Sequence, residues 1–221
     1  MSEEILIPKM RRIDKNKKSF RIPWLNIAVI ILCTLMIIGS TFLNLNIKHY
    51  IIPSGLFSDT KLAAEDFIYE ISFIPQVPII MFICSVLGKR MALATTILYI
   101  TLGLFFIPVF ALGGGLRYFG EFGFGYILGY IPAVLIAGSI LEEKYTFLNM
   151  IKSSILGVLT IHLSGVIYMI VIAMIKHAGW NFILGWISVQ SGIKIIYDLI
   201  LAFVLIMIGK YLNAGLKFIL E

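Results

Sequence analysis

Near the C-terminus, Gln190, Lys194, Tyr197 and Asp198 fall at i, i+4, i+7 and i+8, which is one face of a helix. The run around them is otherwise apolar. Charges inside an apolar span are costly, so they turn inward or pair. Lys194 and Asp198, one turn apart, can do both. Two readings follow. One is a structural ion pair that fixes the last helix. The other is the polar floor of a pocket, offering a cation, an acceptor and an amide. Ionisable residues within spans mark functional sites by default, which favours the second. A different cluster occupies 113–125, where six of thirteen residues are glycine, beginning with Gly113, Gly114 and Gly115. Glycine lets backbone approach a ligand closely. Ordering such a loop costs entropy, so something must hold it. Helix–helix links commonly run about 2–8 residues, so this one is expected to close over a small molecule. Arg117 in the loop is either a hydrated charge or an anion contact.

Other chemistries find no footing. Cys33 and Cys84 lie inside apolar runs and read as small packing residues, not as a disulfide or a metal pair. His49, His162 and His177 share no ligand spacing, and no cofactor is implied. His162 and Ser164 read as interhelical hydrogen-bond partners. No phosphate-binding glycine loop or nucleophile elbow occurs, so neither ATP hydrolysis nor acyl transfer is suggested, and an enzyme is not expected.

The elements that must position these groups are membrane spans. The 221 residues are 60% hydrophobic and 14% charged, against about 25% charged in soluble domains. A span needs about 20 apolar residues. Candidates lie at 24–46, 67–88, 91–112, 123–141, 151–175 and 191–218. The expected architecture is thus an all-α membrane protein, six transmembrane helices in one bundle. A basic tail, 1–22, precedes a single membrane domain, 23–221. The segment 180–190 is too short to cross and reads as interfacial, with Trp180 and Trp186 at headgroup depth. Pro75 and Pro78 are expected to break the second span, either as a packing kink or as a pocket lining flanked by Glu70 and Gln76. Gly125-x-x-x-Gly129 would allow close helix packing.

Lys and Arg set the orientation. They concentrate in the N-terminal tail (Lys9, Arg11, Arg12, Lys15, Lys17, Lys18 and Arg21), at Lys89 and Arg90, at Lys144 and Lys152, and at Lys210 and Lys217. Both termini are therefore expected in the cytoplasm. The 47–67, 113–125 and 176–190 loops then face outward, with the ligand pocket near that side. The net charge of +6 is explained by topology and attraction to anionic lipid. Nucleic acid is not implied.

The run PQVPIIMFICSVLGKRMALATTILYITLGLFFIPVFALGGG, followed by GFGYILGYIPAVLIAG, resembles the BioY family. These are the substrate-binding membrane subunits of energy-coupling factor (ECF) vitamin transporters. The resemblance rests on the proline before helix two, the Leu-Gly-basic turn at 87–90 and LYITLG at 98–103. It continues through PVFALGGG at 108–115 and the series Gly125-Tyr126-Ile127-Leu128-Gly129-Tyr130. It implies six helices, an outward pocket capped by loops, and biotin as substrate. It also implies a cell-membrane location and a shared transmembrane coupling subunit with two ATPases. Taking the residue readings and the resemblance together, the residues expected to bind substrate are Gly113, Gly114, Gly115, Arg117, Tyr126, Gln190, Lys194 and Asp198. The chain departs from the family pattern at Glu121–Gly125, where a Gly-Pro-Thr-Gly-Gly-like run is usual. It departs again at Leu201, which stands where the family has a lysine after the aspartate. Lipoate or another small carboxylated vitamin, or a ligand-free structural protein, remain the alternatives.

Overall fold

The computed structural model describes residues 23–53 and 63–220; the basic tail lies outside them. The elements run α1 (Pro23–Thr41), β1 (Leu45–Tyr50), β2 (Ile68–Phe73), α2 (Gln76–Phe105), α3 (Phe124–Glu143), α4 (Phe147–Ile175), α5 (Trp180–Ser191) and α6 (Lys194–Leu220). Among the described residues, five helical stretches are long and apolar enough to cross a membrane. Their outer faces carry exposed Leu32, Leu35, Leu163, Ile167 and Ile200. Apolar surface of that extent suits lipid, not water.

α2 is one helix in name only. Gly88 takes φ 74° and ψ 171°, which interrupts it. The Gln76 amide then donates to the Tyr99 hydroxyl at 2.9 Å, although 23 residues separate them. A straight helix would hold those residues about 34 Å apart. The segments 76–87 and 89–105 therefore double back on each other, and the Leu-Gly-basic turn expected at 87–90 is real. Only glycine adopts this positive φ without strain.

That turn sits at one end of the bundle and is clamped there. Lys89 Nζ pairs with Glu142 at 3.2 Å. Asn213 donates to the Val86 carbonyl at 2.6 Å, and Tyr145 donates to the Ser85 carbonyl. Burial pushes the Tyr145 phenol up to about 12, so it remains a donor at neutral pH. α6 can press against this turn because Gly209 lacks a Cβ, which would meet Ser85 Oγ at 1.8 Å.

Three expectations need correction. Residues 68–73 are a strand, not the start of a span. They pair antiparallel with 45–50, from Leu45↔Phe73 to Tyr50↔Ile68. The cause is alternation: Ile71 and Phe73 are buried while Glu70 and Ser72 are not. Pro75 and Pro78 do not break a span. Pro75 caps α2 and Pro78 falls in its first turn, where backbone N–H groups have no partner to lose. The third span ends at Phe105, and the chain beyond it turns through Pro108.

Candidate binding site

α3 and α4 make the closest helix contact, and glycines permit it. A Cβ on Gly125 would lie 2.2 Å from Tyr168 Cβ, and one on Gly129 would lie 3.0 Å from Ser164 Cβ. Gly165 in turn admits the ring of Tyr126, which a Cβ there would meet at 2.4 Å. The Gly-x-x-x-Gly spacing thus packs as expected. Its consequence is that Tyr126 on α3 reaches across to His162 on α4, edge to face at 5.6 Å between centroids.

Ser191 ends α5, Gly192 turns the chain, and α6 starts at Lys194. This brings four side chains from four helices into line. Tyr126 OH lies 2.6 Å from Ser191 Oγ. Ser191 Oγ lies 3.0 Å from His162 Nδ1. His162 Nε2 lies 3.0 Å from Asp198 Oδ2. His162 and Asp198 are each only 4% exposed. The other carboxylate oxygen, Asp198 Oδ1, is buried without a hydrogen-bond partner among the described residues. An orphaned buried acceptor costs on the order of 1–3 kcal/mol, and more when charged, so this oxygen is a place for a donor.

The trio Asp198, His162 and Ser191 has the order of a hydrolytic triad. Ser191 Oγ, however, is already shared between His162 and Tyr126. The N–H of Gly192 is committed to the carbonyls of Ile187 and Ser188, so it stabilises no oxyanion. The chain of contacts is a hydrogen-bond relay that holds a carboxylate.

Of the two readings of Lys194 and Asp198, the mutual ion pair is not formed: Asp198 binds His162, and Lys194 Nζ donates to Gln190 Oε1 at 3.3 Å. The physical reason is tertiary. His162 comes from α4, 36 residues away, and no local spacing reveals it. Lys194 is half-buried and, with Glu70, Ser72, Ser188 and Ile193, lines a pocket of about 230 Å³ between β2 and the α5–α6 junction. Tyr197 turns away from Asp198 to the hairpin, its hydroxyl 3.0 Å from His49 Nε2 and its ring 5.9 Å from that of Phe73.

The glycine loop differs from expectation in what lies under it. Phe110, Tyr118 and Phe124 pack there, with centroids 4.6 Å apart for Phe110–Tyr118 and 5.7 Å for Tyr118–Phe124. Gly113 and Gly115 have φ of 110° and 84°. Their N–H groups donate to the carbonyls of Phe110 and Gly103. A Cβ on Gly114 would lie 2.6 Å from the Gly103 carbonyl oxygen. These glycines thus serve backbone packing over an aromatic plug. Arg117 is exposed on the rim. The ring of Trp186 packs 6.0 Å from that of Tyr126, while Trp180 is exposed.

A second polar knot was invisible in the sequence. Gln76 donates to Thr41 and Tyr99 and accepts from Tyr130 at 3.0 Å. It ties α1, both limbs of α2 and α3 together. The sequence flagged Gln76 but gave no partner for it.

The sequence matches the BioY family profile over residues 15–218. A probable biotin transporter BioY from Lysinibacillus sphaericus is 28% identical over 125 residues, which is 53% of this chain and 64% of that relative's length. The crystal structure of the S-component for biotin from an ECF-type ABC transporter matches with a TM-score of 0.62 at 20% identity. That match covers 87% of this chain and 92% of the other, and it shows the fold. A profile match of this extent places the chain in the BioY family.

Proposed function

We propose that this chain is the substrate-binding component of an ECF-type vitamin transporter, and that its vitamin is biotin. The observation that carries the reading is Asp198. Its Oδ2 is held by His162 and its Oδ1 is buried without a donor. Biotin's cyclic urea offers N–H groups of the kind this oxygen lacks, and its valerate carboxylate suits a cation. Lys194, one turn before Asp198 and facing the pocket beside β2, is the nearer candidate for that cation. Arg117 on the rim is the other. Gln190 positions Lys194. Tyr126 contributes through its contact with Ser191, and the loop glycines contribute by holding the backbone over the aromatic plug.

In this reading six spans form the bundle, counting the two limbs of α2 separately. The clamped end with Lys89, Lys144 and Lys152 faces the cytoplasm, as do both termini. The hairpin, the glycine loop and α5 face outward in the cell membrane. The vitamin enters there, and delivery inward requires a shared transmembrane subunit and two ATPases.

Thermal unfolding of the purified chain with biotin, lipoate and other vitamins tests the ligand. A ligand at 100 times its dissociation constant adds about 2.7 kcal/mol of stability. Stabilisation by biotin and not by lipoate is expected; stabilisation by no vitamin would end the reading.

A further inference from the structure

The geometry points to His162 and Ser191 as positioning residues that dedicate Asp198 Oδ1 to a ligand N–H and thereby set the preference for a cyclic urea. This rests on the biotin reading above and adds residues that do not touch the ligand.

With Asp198 ionised and His162 neutral, every contact of the relay has one donor and one acceptor. An ionised Asp198 only accepts, so His162 Nε2 donates to Oδ2 at 3.0 Å. The Nδ1 lone pair of that tautomer accepts from the Ser191 hydroxyl at 3.0 Å. Ser191 Oγ keeps an acceptor site, and the Tyr126 hydroxyl donates to it at 2.6 Å. Every donor along the line points toward Asp198. The ring cannot flip without breaking two buried hydrogen bonds, and Gly165 leaves the Tyr126 ring packed against the same helix. The carboxylate is therefore fixed in rotation about its own axis, with Oδ2 satisfied and Oδ1 buried without a hydrogen-bond partner among the described residues.

That arrangement discriminates chemically. With a neutral His162, the relay carries the negative charge of Asp198, and the cation one turn away is already held by Gln190. A ligand that donates to Oδ1 relieves the orphaned acceptor. A ligand of the same size without an N–H, such as the dithiolane ring of lipoate, leaves it orphaned. Sites built to hydrogen-bond a particular group reject analogues that lack it far more strongly than apolar pockets reject a change of shape. The selectivity depends on the relay because an unheld carboxylate could rotate and satisfy itself elsewhere.

The test is a double-mutant cycle on the full chain in detergent, read as biotin dissociation constants. His162→Leu should weaken binding about tenfold or more. His162→Gln, which keeps a donor near the Nε2 position, should restore most of that loss. On an Asp198→Asn background, His162→Leu should change affinity by less than about twofold, because the carboxylate whose second oxygen it dedicates to the ligand has become an amide. Ser191→Ala should show the same coupling at smaller amplitude, and it carries the test if His162→Leu does not fold. Wild-type affinity in a folded His162→Leu protein would overturn the proposal. So would losses that simply add to those of Asp198→Asn, since they would mark a structural role. A wild-type chain that binds no biotin overturns the functional reading first, and this proposal with it.

Discussion

An ionised Asp198 wants donors on both oxygens, and His162 supplies one. Asp198→Asn turns the empty acceptor into an amide that can present N–H to N–H, so biotin binding should weaken at least about tenfold. Equilibrium titration of the folded variant checks this. Unchanged affinity would remove the residue from the site. The cation is separable by ligand chemistry. Lys194→Ala should weaken biotin but leave biotin amide, whose tail is neutral, within about twofold of wild type. If Arg117→Ala shows that pattern instead, the tail reaches the rim. At this scale the sequence was half legible. The i, i+4 and i+8 spacing put Gln190, Lys194 and Asp198 on one helix face, and Lys194 does lie within reach of Gln190. It could not show the partner of Asp198, because His162 arrives from α4 through tertiary packing. Ser191 carried no signal beyond being a hydroxyl at the mouth of a span.

Helix contacts here depend on missing side chains. Gly125→Ala places a Cβ 2.2 Å from Tyr168 Cβ, and Gly103→Ala places one 2.1 Å from the Phe110 ring. Overpacking of this kind costs about 1–3 kcal/mol, so each variant should unfold at lower temperature than wild type. Gly39→Ala, with open space around the added methyl, should not. Gly125→Ala should also weaken biotin, since Tyr126 would lose its approach to Ser191; Gly103→Ala acts on the aromatic plug. Elements were readable where one signal dominated. Long apolar runs gave α1, α3, α4 and α6, and Leu-Gly-basic gave the reversal at Gly88. The hairpin was missed because FIYEISF is apolar enough to extend a span, while its period-two burial depends on pairing with 45–50, far away in sequence. The prolines misled for a related reason: whether they break a helix or begin one depends on a boundary that the strand decides.

For the whole molecule, the charge-derived orientation places residues 144 and 176 on opposite sides. Cys33 and Cys84 are both buried, which gives a quiet background for labelling. In sealed vesicles a cysteine at 176 should react with an impermeant maleimide from outside, and one at 144 only after permeabilisation. The reverse pattern would invert the topology. The ends also differ in how they are closed. At one, Tyr145, Asn213 and the Lys89–Glu142 pair fasten the reversal of α2 to α3 and α6. At the other, α5 buries Ile183 and Ser191 and packs Trp186 against Tyr126, and the hairpin meets α6 through His49 and Phe73. Such a body is fastened at one end and only lightly closed at the other. On the transporter reading proposed above, a ligand admitted beside the hairpin meets a locked far end, so its release there requires that the whole body turn or that a partner part the lock.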